Sequence, residues 1–319
     1  MAGSIKTNPY KRFSAVELSR LFLQLAQMES AGIPAINAFA LLGNQAPGIR
    51  TRMLRLQSCL KAGESIAEAG FKTGLFNDNH KALIHAAETS GRLAEIYRKL
   101  SVHYSELSTR IKKIKSHLLL PALTLIIALL VQPLPALVRA EISILQYLSQ
   151  SLGTLLMITL GIFLFSRLPG ILNGLGLLPL FHKLLVSLPV VADWLVSRQL
   201  NEFFFILAMM LDAGLAFSEA LPKAVAGIEN TALRKRFDTA LALMKTGASV
   251  TSTLTLVNVI KPASLQIINS GEHSGKLAES LMHFNKIDAE TLGLQDESLA
   301  EWLPRVVYGI IVAWVVMGF

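Results

Sequence analysis

The chain contains 319 residues, of which 52% are hydrophobic and 16% are charged. Soluble domains carry about a quarter charged residues, so this composition excludes an ordinary soluble enzyme and also a disordered chain. The net charge of +8 is unevenly distributed: residues 1–117 carry +9, residues 118–166 carry 0 and residues 167–319 carry −1. One cysteine, Cys59, excludes an intramolecular disulfide.

The first third of the chain carries the signals of short helices. The polar N-terminus lacks the apolar segment of a signal peptide, so we expect no cleavage there. Ser14 with Glu17, and Ser65 with Glu68, have the capping-box spacing that begins a helix. After Ser14, apolar residues recur every three or four positions, at Leu18, Leu21, Phe22, Leu25 and Met28. That spacing predicts a helix with one buried face, and no stretch alternates long enough to predict a strand.

Two long uncharged segments follow. The 23 residues between Lys115 and Arg139 predict a first transmembrane helix, Leu118 to Val138, because about 20 residues cross the hydrocarbon core. Its three prolines are tolerated where neighbouring helices satisfy the freed carbonyls. The 25 residues between Glu141 and Arg167 predict a second span centred on 152–165, so the two spans form a hairpin.

The C-terminus offers a shorter third candidate. Val306 to Phe319 gives 14 uncharged residues, and a start at Trp302 lengthens the helix to about 27 Å, with Arg305 reaching the headgroups. The alternative is a buried or interfacial helix. Basic residues lie before the first span and after the second, which predicts that both large polar regions are cytoplasmic.

The two polar regions are related by an internal duplication. The segments 25–32 and 207–214 share five of eight residues at an offset of 182. Lys61 to Ser65 matches Lys245 to Ser249, and 88–93 matches 272–277, both at an offset of 184. This period is too long for a solenoid repeat, so each copy is a whole domain, predicted as about six short antiparallel helices.

Two helical domains with Leu-Ala-x-Met-x-x-Ala-Gly near the start and Glu-x-Ser-Gly-x-Leu near the end, each followed by membrane helices, resemble a known family. These are the inner-membrane platform proteins of type IV pili and type II secretion systems, the PilC and GspF proteins. The best match is 271–277, which resembles the family's Gly-Glu-x-Ser-Gly-x-Leu signature; the first copy has Ala87 in place of its first glycine. The candidate structural or partner-contact positions are Ala31, Gly32, Gly63, Glu88, Ser90, Gly91, Leu93, Ala213, Gly214, Gly247, Gly271, Glu272, Ser274, Gly275 and Leu277.

The Gly271 to Leu277 motif is not a phosphate-binding loop. Only three residues separate its glycines, and Leu277 stands where that loop needs a hydroxyl. We interpret both copies as a helix end, a left-handed glycine at Gly91 or Gly275, and the start of a new helix. Glu88 or Glu272 can then accept hydrogen bonds from the free N–H groups of that new helix. A structural role is favoured over direct partner contact.

The sequence contains no recognisable catalytic, metal or cofactor motif. The seven histidines include no His-Glu-x-x-His pair, and the chain has no Cys/His cluster. The basic run Arg110 to Lys115 suits anionic lipid headgroups or serves as a topology signal, and it lacks the stacking aromatics of a nucleic-acid site. We therefore expect no enzyme, no cofactor and no nucleic-acid partner.

The resemblance implies an all-α, multi-pass protein of the bacterial inner membrane with a cytoplasmic N-terminus, built from two homologous cytoplasmic six-helix bundles plus about three transmembrane helices. The expected domains are 1–117 (first bundle), 118–166 (membrane hairpin), 167–301 (linker and second bundle) and 302–319 (C-terminal span). The resemblance further implies coupling of a cytoplasmic assembly ATPase to the extraction of pilin or pseudopilin subunits, with other inner-membrane assembly proteins, membrane lipids and a second copy of the chain as partners. A small transporter or a membrane-bound signalling scaffold are the alternatives.

Overall fold

A computed structural model describes residues 13–45, 47–131, 133–174 and 189–316, and no strand occurs within these ranges. The prediction of an all-α protein is confirmed for this part of the chain. The helices of the first half are α1 (Ala15–Ser30), α2 (Ala35–Gln45), α3 (Arg50–Lys61, after a 3-10 turn Pro47–Ile49), α4 (Ile66–Lys72), α5 (Asp78–Ser90), α6 (Leu93–Val131), α7 (Leu134–Val138) and α8 (Ile144–Gly174).

The second half repeats the order of the first six helices. It contains α9 (Pro189–Asp212), α10 (Phe217–Ala226), α11 (Thr231–Lys235), α12 (Asp238–Met244), α13 (Val250–Thr255), α14 (Pro262–His273) and α15 (Leu277–Val316). At the offsets of the duplication, α1 corresponds to α9, α2 to α10, α4 to α13, α5 to α14 and α6 to α15. The two short helices α11 and α12 together replace α3.

The sixth helix of each copy differs from the expected short helix. α6 has 39 residues and α15 has 40, and each continues without a break from the last turn of its copy into an apolar C-terminal segment. The expected span 118–138 is divided, because α6 ends at Val131 and Pro133 precedes the separate short helix α7. Most of the third candidate span, up to Val316, belongs to α15, and the last three residues of that span, 317–319, lie outside the described residues.

Serine side chains begin several helices as the sequence predicts. The Glu17 N–H donates to Ser14 Oγ at 3.3 Å, and Glu17 Oε2 accepts from the Ser14 N–H at 2.7 Å, which completes the first capping box. Ser65 caps α4 by accepting from the Glu68 N–H at 3.2 Å. Glu68 does not return a bond in this second box; its carboxylate pairs with Lys81 Nζ at 2.6 Å. The second predicted box is therefore a serine cap alone.

The described residues within 13–109 and 189–290 belong to one compact unit, so the two copies pack together. Phe22 and Phe39 lie in the first copy's part of its apolar core, and Phe203 and Phe237 lie in the second copy's part, each at most 2% exposed. The rings of Phe203 and Phe237 are 4.8 Å apart. One continuous core therefore includes side chains from both copies.

The described residues within 110–174 and 291–316 belong to a second unit, which contains long apolar helices. Its apolar side chains face outward: Leu145 is 79% exposed, Met157 75% and Leu119 74%. Lys113 Nζ lies 2.8 Å from Glu297 Oε1, and the Tyr147 hydroxyl donates to the Leu130 carbonyl at 3.0 Å. Side chains this apolar and this exposed are typical of a surface that faces lipid.

Candidate functional site: the motif turns and the contact between the copies

The two copies of the Glu-x-Ser-Gly-x-Leu motif form the same helix-turn-helix. In the first copy, α5 ends at Ser90, Gly91 has φ of +70°, and α6 begins at Leu93. In the second copy, α14 ends at His273, Gly275 has φ of +69°, and α15 begins at Leu277. A side chain at either glycine meets no atom within 4 Å, so the constraint at this position is the left-handed backbone alone. The predicted left-handed turns are confirmed.

The motif glutamates bind a different helix from the one expected. Glu88 accepts hydrogen bonds from the N–H groups of Ile66 at 2.7 Å and Ala67 at 3.1 Å, at the start of α4. The sequence predicts these donors on α6, the helix that follows the motif. That expectation is wrong because α5 brings its last turn to the N-terminus of α4, where free N–H groups attract a carboxylate.

The second copy repeats this contact with one more bond. Glu272 accepts from the Val250 N–H at 2.6 Å, from the Thr251 N–H at 2.8 Å and from the Thr251 hydroxyl at 2.6 Å, at the start of α13. Burial raises the pKa of the Glu272 carboxyl, but the bonds from Thr251 and Val250 outweigh burial and the pKa falls below its ordinary value. We call these two contacts, of Glu88 with the start of α4 and of Glu272 with the start of α13, the glutamate clamp.

Gly271 of the signature lies where two helices approach closely. A Cβ added there would lie 2.8 Å from Ser280 Cβ and 3.2 Å from Leu277 Cα, closer than such atoms normally approach. Ala87, the corresponding residue in the first copy, is fully buried. The glycine of the signature therefore serves the packing of α14 against α15.

The clamp brings further candidate residues together. Gly63 and Gly247, which precede α4 and α13, have φ of +87° and +79°. Because Glu88 and Glu272 bond the first turns of α4 and α13, each of these turns lies beside the motif turn of its own copy. Gly32 and Gly214 also have positive φ, of +70° and +93°, and end α1 and α9. Ala31 is exposed, whereas Ala213, its counterpart, is buried.

An ionic cluster lies next to Ala213 and involves its neighbour Asp212. Arg92, which follows Gly91, donates to the carbonyl and to the carboxylate of Asp212, the last residue of α9. Lys99 Nζ lies 2.5 Å from the same carboxylate and 2.7 Å from Glu95. Ion pairing outweighs burial and raises the pKa of Lys99, and pairing with Glu95 and Asp212 raises that of Arg92. The motif turn of the first copy is thus bound to the Ala213–Gly214 turn of the second.

A second contact joins α6 to α9 nearer the middle of the helices. The His103 ring stacks on Phe205 with centroids 3.9 Å apart, and His103 Nε2 lies 3.1 Å from Glu202. Behind it, His80 is buried and its Nε2 lies 2.6 Å from the Tyr104 hydroxyl. Burial lowers the pKa of His80 to about 4, so this ring is neutral at physiological pH.

No sequence motif marks Asp212, Glu202 or His103 as a functional residue. The sequence contains one signal for Asp212: it stands where the first copy has Ser30, so this position carries a charge in the second copy alone. No group of three or more His, Cys, Asp or Glu residues that could hold a metal ion occurs within the described ranges.

Two helical segments of the described chain, 93–138 and 144–161, contain stretches long and apolar enough to cross a membrane. Comparison with known proteins agrees with this architecture. The family model described as "Type II secretion system (T2SS), protein F" matches residues 21–140 and 203–319. Each matched segment contains most of one helical copy together with the apolar segment that follows it.

Three relatives match most of the chain. Type II secretion system protein F of Pseudomonas aeruginosa is 24% identical over 84% of this chain and 71% of its own length. The HofC homologue of Haemophilus influenzae, a protein transport protein, is 24% identical over 95% of this chain and 83% of its own length. Type IV pilus assembly protein PilC of Pseudomonas aeruginosa is 20% identical over 85% of this chain and 78% of its own length.

Proposed function

The chain belongs to the type II secretion system protein F family, and we propose that it is an inner-membrane platform on which pilin or pseudopilin subunits are assembled into a fibre. In this role it couples a separate cytoplasmic assembly ATPase to the extraction of subunits from the membrane. One observation carries the proposal: the match to the family model spans most of both helical copies and the apolar segment after each. The names of the relatives, protein F, HofC and PilC, support secretion or pilus assembly as the process.

The two long helices suggest how movement passes through the platform. α6 and α15 each begin at a motif turn and continue into an apolar segment without a break. Just before these helices begin, the glutamate clamp holds the ends of α5 and α14 against the first turns of α4 and α13. Arg92, immediately before α6, is bound to Asp212. A partner that moves a helical copy therefore displaces a helix that we place partly in the membrane.

We propose that both helical copies are cytoplasmic and that the turn between α7 and α8 is periplasmic. We propose the domain boundaries inferred from the sequence, 1–117, 118–166, 167–301 and 302–319, which fall inside α6, α8 and α15. Reporters fused after Lys115 and at Leu243 are expected to be cytoplasmic, and one at Glu141 periplasmic, because basic residues are concentrated outside that turn. A cytoplasmic reporter at Glu141 would exclude the hairpin.

We propose that the first copy contacts the ATPase. α3 carries four basic and no acidic side chains, among them the exposed Arg50 and Lys61, and residues 1–117 have a charge of +9. Charge of this kind acts mainly on the rate of association with an acidic surface. Binding of the ATPase to the purified full chain in lipid nanodiscs should weaken as the Debye length falls from about 30 Å to about 8 Å between 0.01 and 0.15 M salt.

Two matched variants separate this contact from a general charge effect. Lys61→Glu should slow association and reduce its dependence on salt, while Lys245→Glu, the equivalent exposed position of the second copy, should leave both unchanged. Equal effects of the two variants would refute a contact through the first copy. The platform itself should neither bind nor hydrolyse ATP, and measurable turnover by the purified chain would refute the division of labour.

A further inference from the structure

The two copies use different faces to contact each other. The first copy contributes α5 and α6 and the second contributes α9 and α10, the counterparts of the first copy's own α1 and α2. A contact between two homologous partners that uses a different surface on each is heterologous. Each copy therefore retains the counterpart of the surface that the other copy uses.

The first copy retains this surface on α1. An offset of 182 relates Phe205 to Leu23 and Ala213 to Ala31. Phe205, on which His103 of the first copy stacks, is 6% exposed, and Ala213, next to the Asp212 that Arg92 binds, is 4% exposed, whereas Leu23 is 45% exposed and Ala31 is exposed. The α1 face therefore exposes the apolar side chain of Leu23 at the position where α9 buries that of Phe205.

The second copy retains its surface on α15. An offset of 184 relates His103 to Ile287 and Arg92 to Lys276. The His103 side chain is 15% exposed, whereas Ile287 is 48% exposed, and the Lys276 side chain is 69% exposed against 37% for Arg92. The α15 face therefore has the same relation to α6 as α1 has to α9.

We propose that a second copy of this chain occupies these surfaces, so that α1 of one chain packs against the first turns of α15 in the next. Leu23 then contacts Ile287, as Phe205 contacts His103 within the chain. The proposal specifies the self-association that the family resemblance implies. It rests on the internal duplication and not on the platform role.

The register of the internal contact supplies an independent check of complementarity. Phe205 meets His103, while Asp212, seven residues later, meets the earlier residue Lys99, so α9 and α6 run antiparallel. Within the chain Glu202, the counterpart of Arg20, contacts His103, so the same register between chains places Arg20 beside Ile287 and one helical turn from Glu290. Arg20 and Glu290 are both exposed and their charges are opposite. Repeated head-to-tail contacts of this kind close into a ring or extend as an open chain.

Cysteine cross-linking of the full chain in membranes tests the arrangement. In a Cys59→Ser background, Leu23→Cys and Ile287→Cys are carried on separately tagged chains and oxidised with copper phenanthroline. Co-expression should give a disulfide-linked pair containing both tags, and each variant alone should give none. Leu54→Cys, 56% exposed on α3, is the matched control and should not link to Ile287→Cys. Cross-linking of Leu23→Cys with itself, or no cross-linking on co-expression, would overturn the proposal.

A charge exchange provides the second readout. Arg20→Glu should lower the yield of the cross-linked pair by about two- to five-fold, the range expected for an exposed ion pair. Adding Glu290→Arg on the partner chain should restore the yield. Loss without restoration would show that these residues do not interact. Pilus or secretion assays are not part of this test, so its failure leaves the proposed platform role separately testable.

Discussion

Replacement of Glu272 tests the glutamate clamp most sharply. Its carboxylate accepts three hydrogen bonds from Val250 and Thr251, at 2.6, 2.8 and 2.6 Å. Hydrogen bonds to a charged group contribute about 1.5–3 kcal/mol each, and loss of a helix cap costs about 0.5–2 kcal/mol. Because the Glu272 site is half-buried, water replaces part of the hydrogen bonding that the substitution removes. Glu272→Ala should therefore lower the free energy of unfolding by about 2–4 kcal/mol. Glu272→Gln, which keeps one acceptor oxygen, should cost less.

The matched control removes the same charge from a position without the clamp. The Glu279 side chain is 75% exposed and lies 3.6 Å from Lys276, so Glu279→Ala should change stability by at most about 0.5 kcal/mol. The full chain in detergent is unfolded in urea and the folded fraction is measured by pulse proteolysis. Equal urea midpoints for Glu272→Ala and Glu279→Ala would refute the contribution of the clamp.

The clamp also predicts a dependence on pH. The pKa of Glu272 is lowered in the folded chain, so its contribution is present above the ordinary pKa near 4.5 and is lost as the pH falls through the lower folded value. Glu272→Gln should therefore lose less stability than the parent chain in this acidic range. A parallel loss in both proteins would contradict the assignment.

Three further outcomes follow from the backbone and the core. Gly91→Val and Gly275→Val should each lower the free energy of unfolding by about 1–3 kcal/mol in urea titrations, because a β-branched residue resists positive φ. Gly271→Ala should destabilise the chain through its contact with Ser280, whereas Gly293→Ala, which meets no atom within 4 Å, should stabilise α15 by about 0.5–1 kcal/mol in the same titrations. Burial lowers the pKa of His80 from 6.5 to about 4, so stability should fall by about 3 kcal/mol from pH 6.5 to 4, and His80→Gln should remove this part of the pH profile.

Local chemistry could be predicted from the sequence because it depends on neighbouring residues. The serine cap at Ser14 and the left-handed turns at Gly91 and Gly275 involve contacts within about four residues, and the structure has them as expected. The partner of Glu88 could not be predicted in the same way. Its donors lie 21 and 22 residues away, and only the packing of α5 against α4 selects them over the nearer helix.

Sequence patterns do not predict the contacts between the two copies. Arg92 and Asp212 are 120 residues apart, and hydrophobic periodicity identifies a buried face without naming what covers it. The lengths of α6 and α15 were also missed, since the change from polar to apolar composition suggested a boundary where the helix continues.

Deletion of this chain from its host tests the platform role most directly. Surface pili or pseudopili are counted by electron microscopy in the parent strain, in the deletion strain and in the deletion strain complemented with the intact chain, with the levels of the assembly ATPase and pilin measured in parallel. The account predicts that fibres disappear on deletion and return on complementation, while the ATPase and the unassembled subunits remain present. Undiminished fibres in the deletion strain would contradict it.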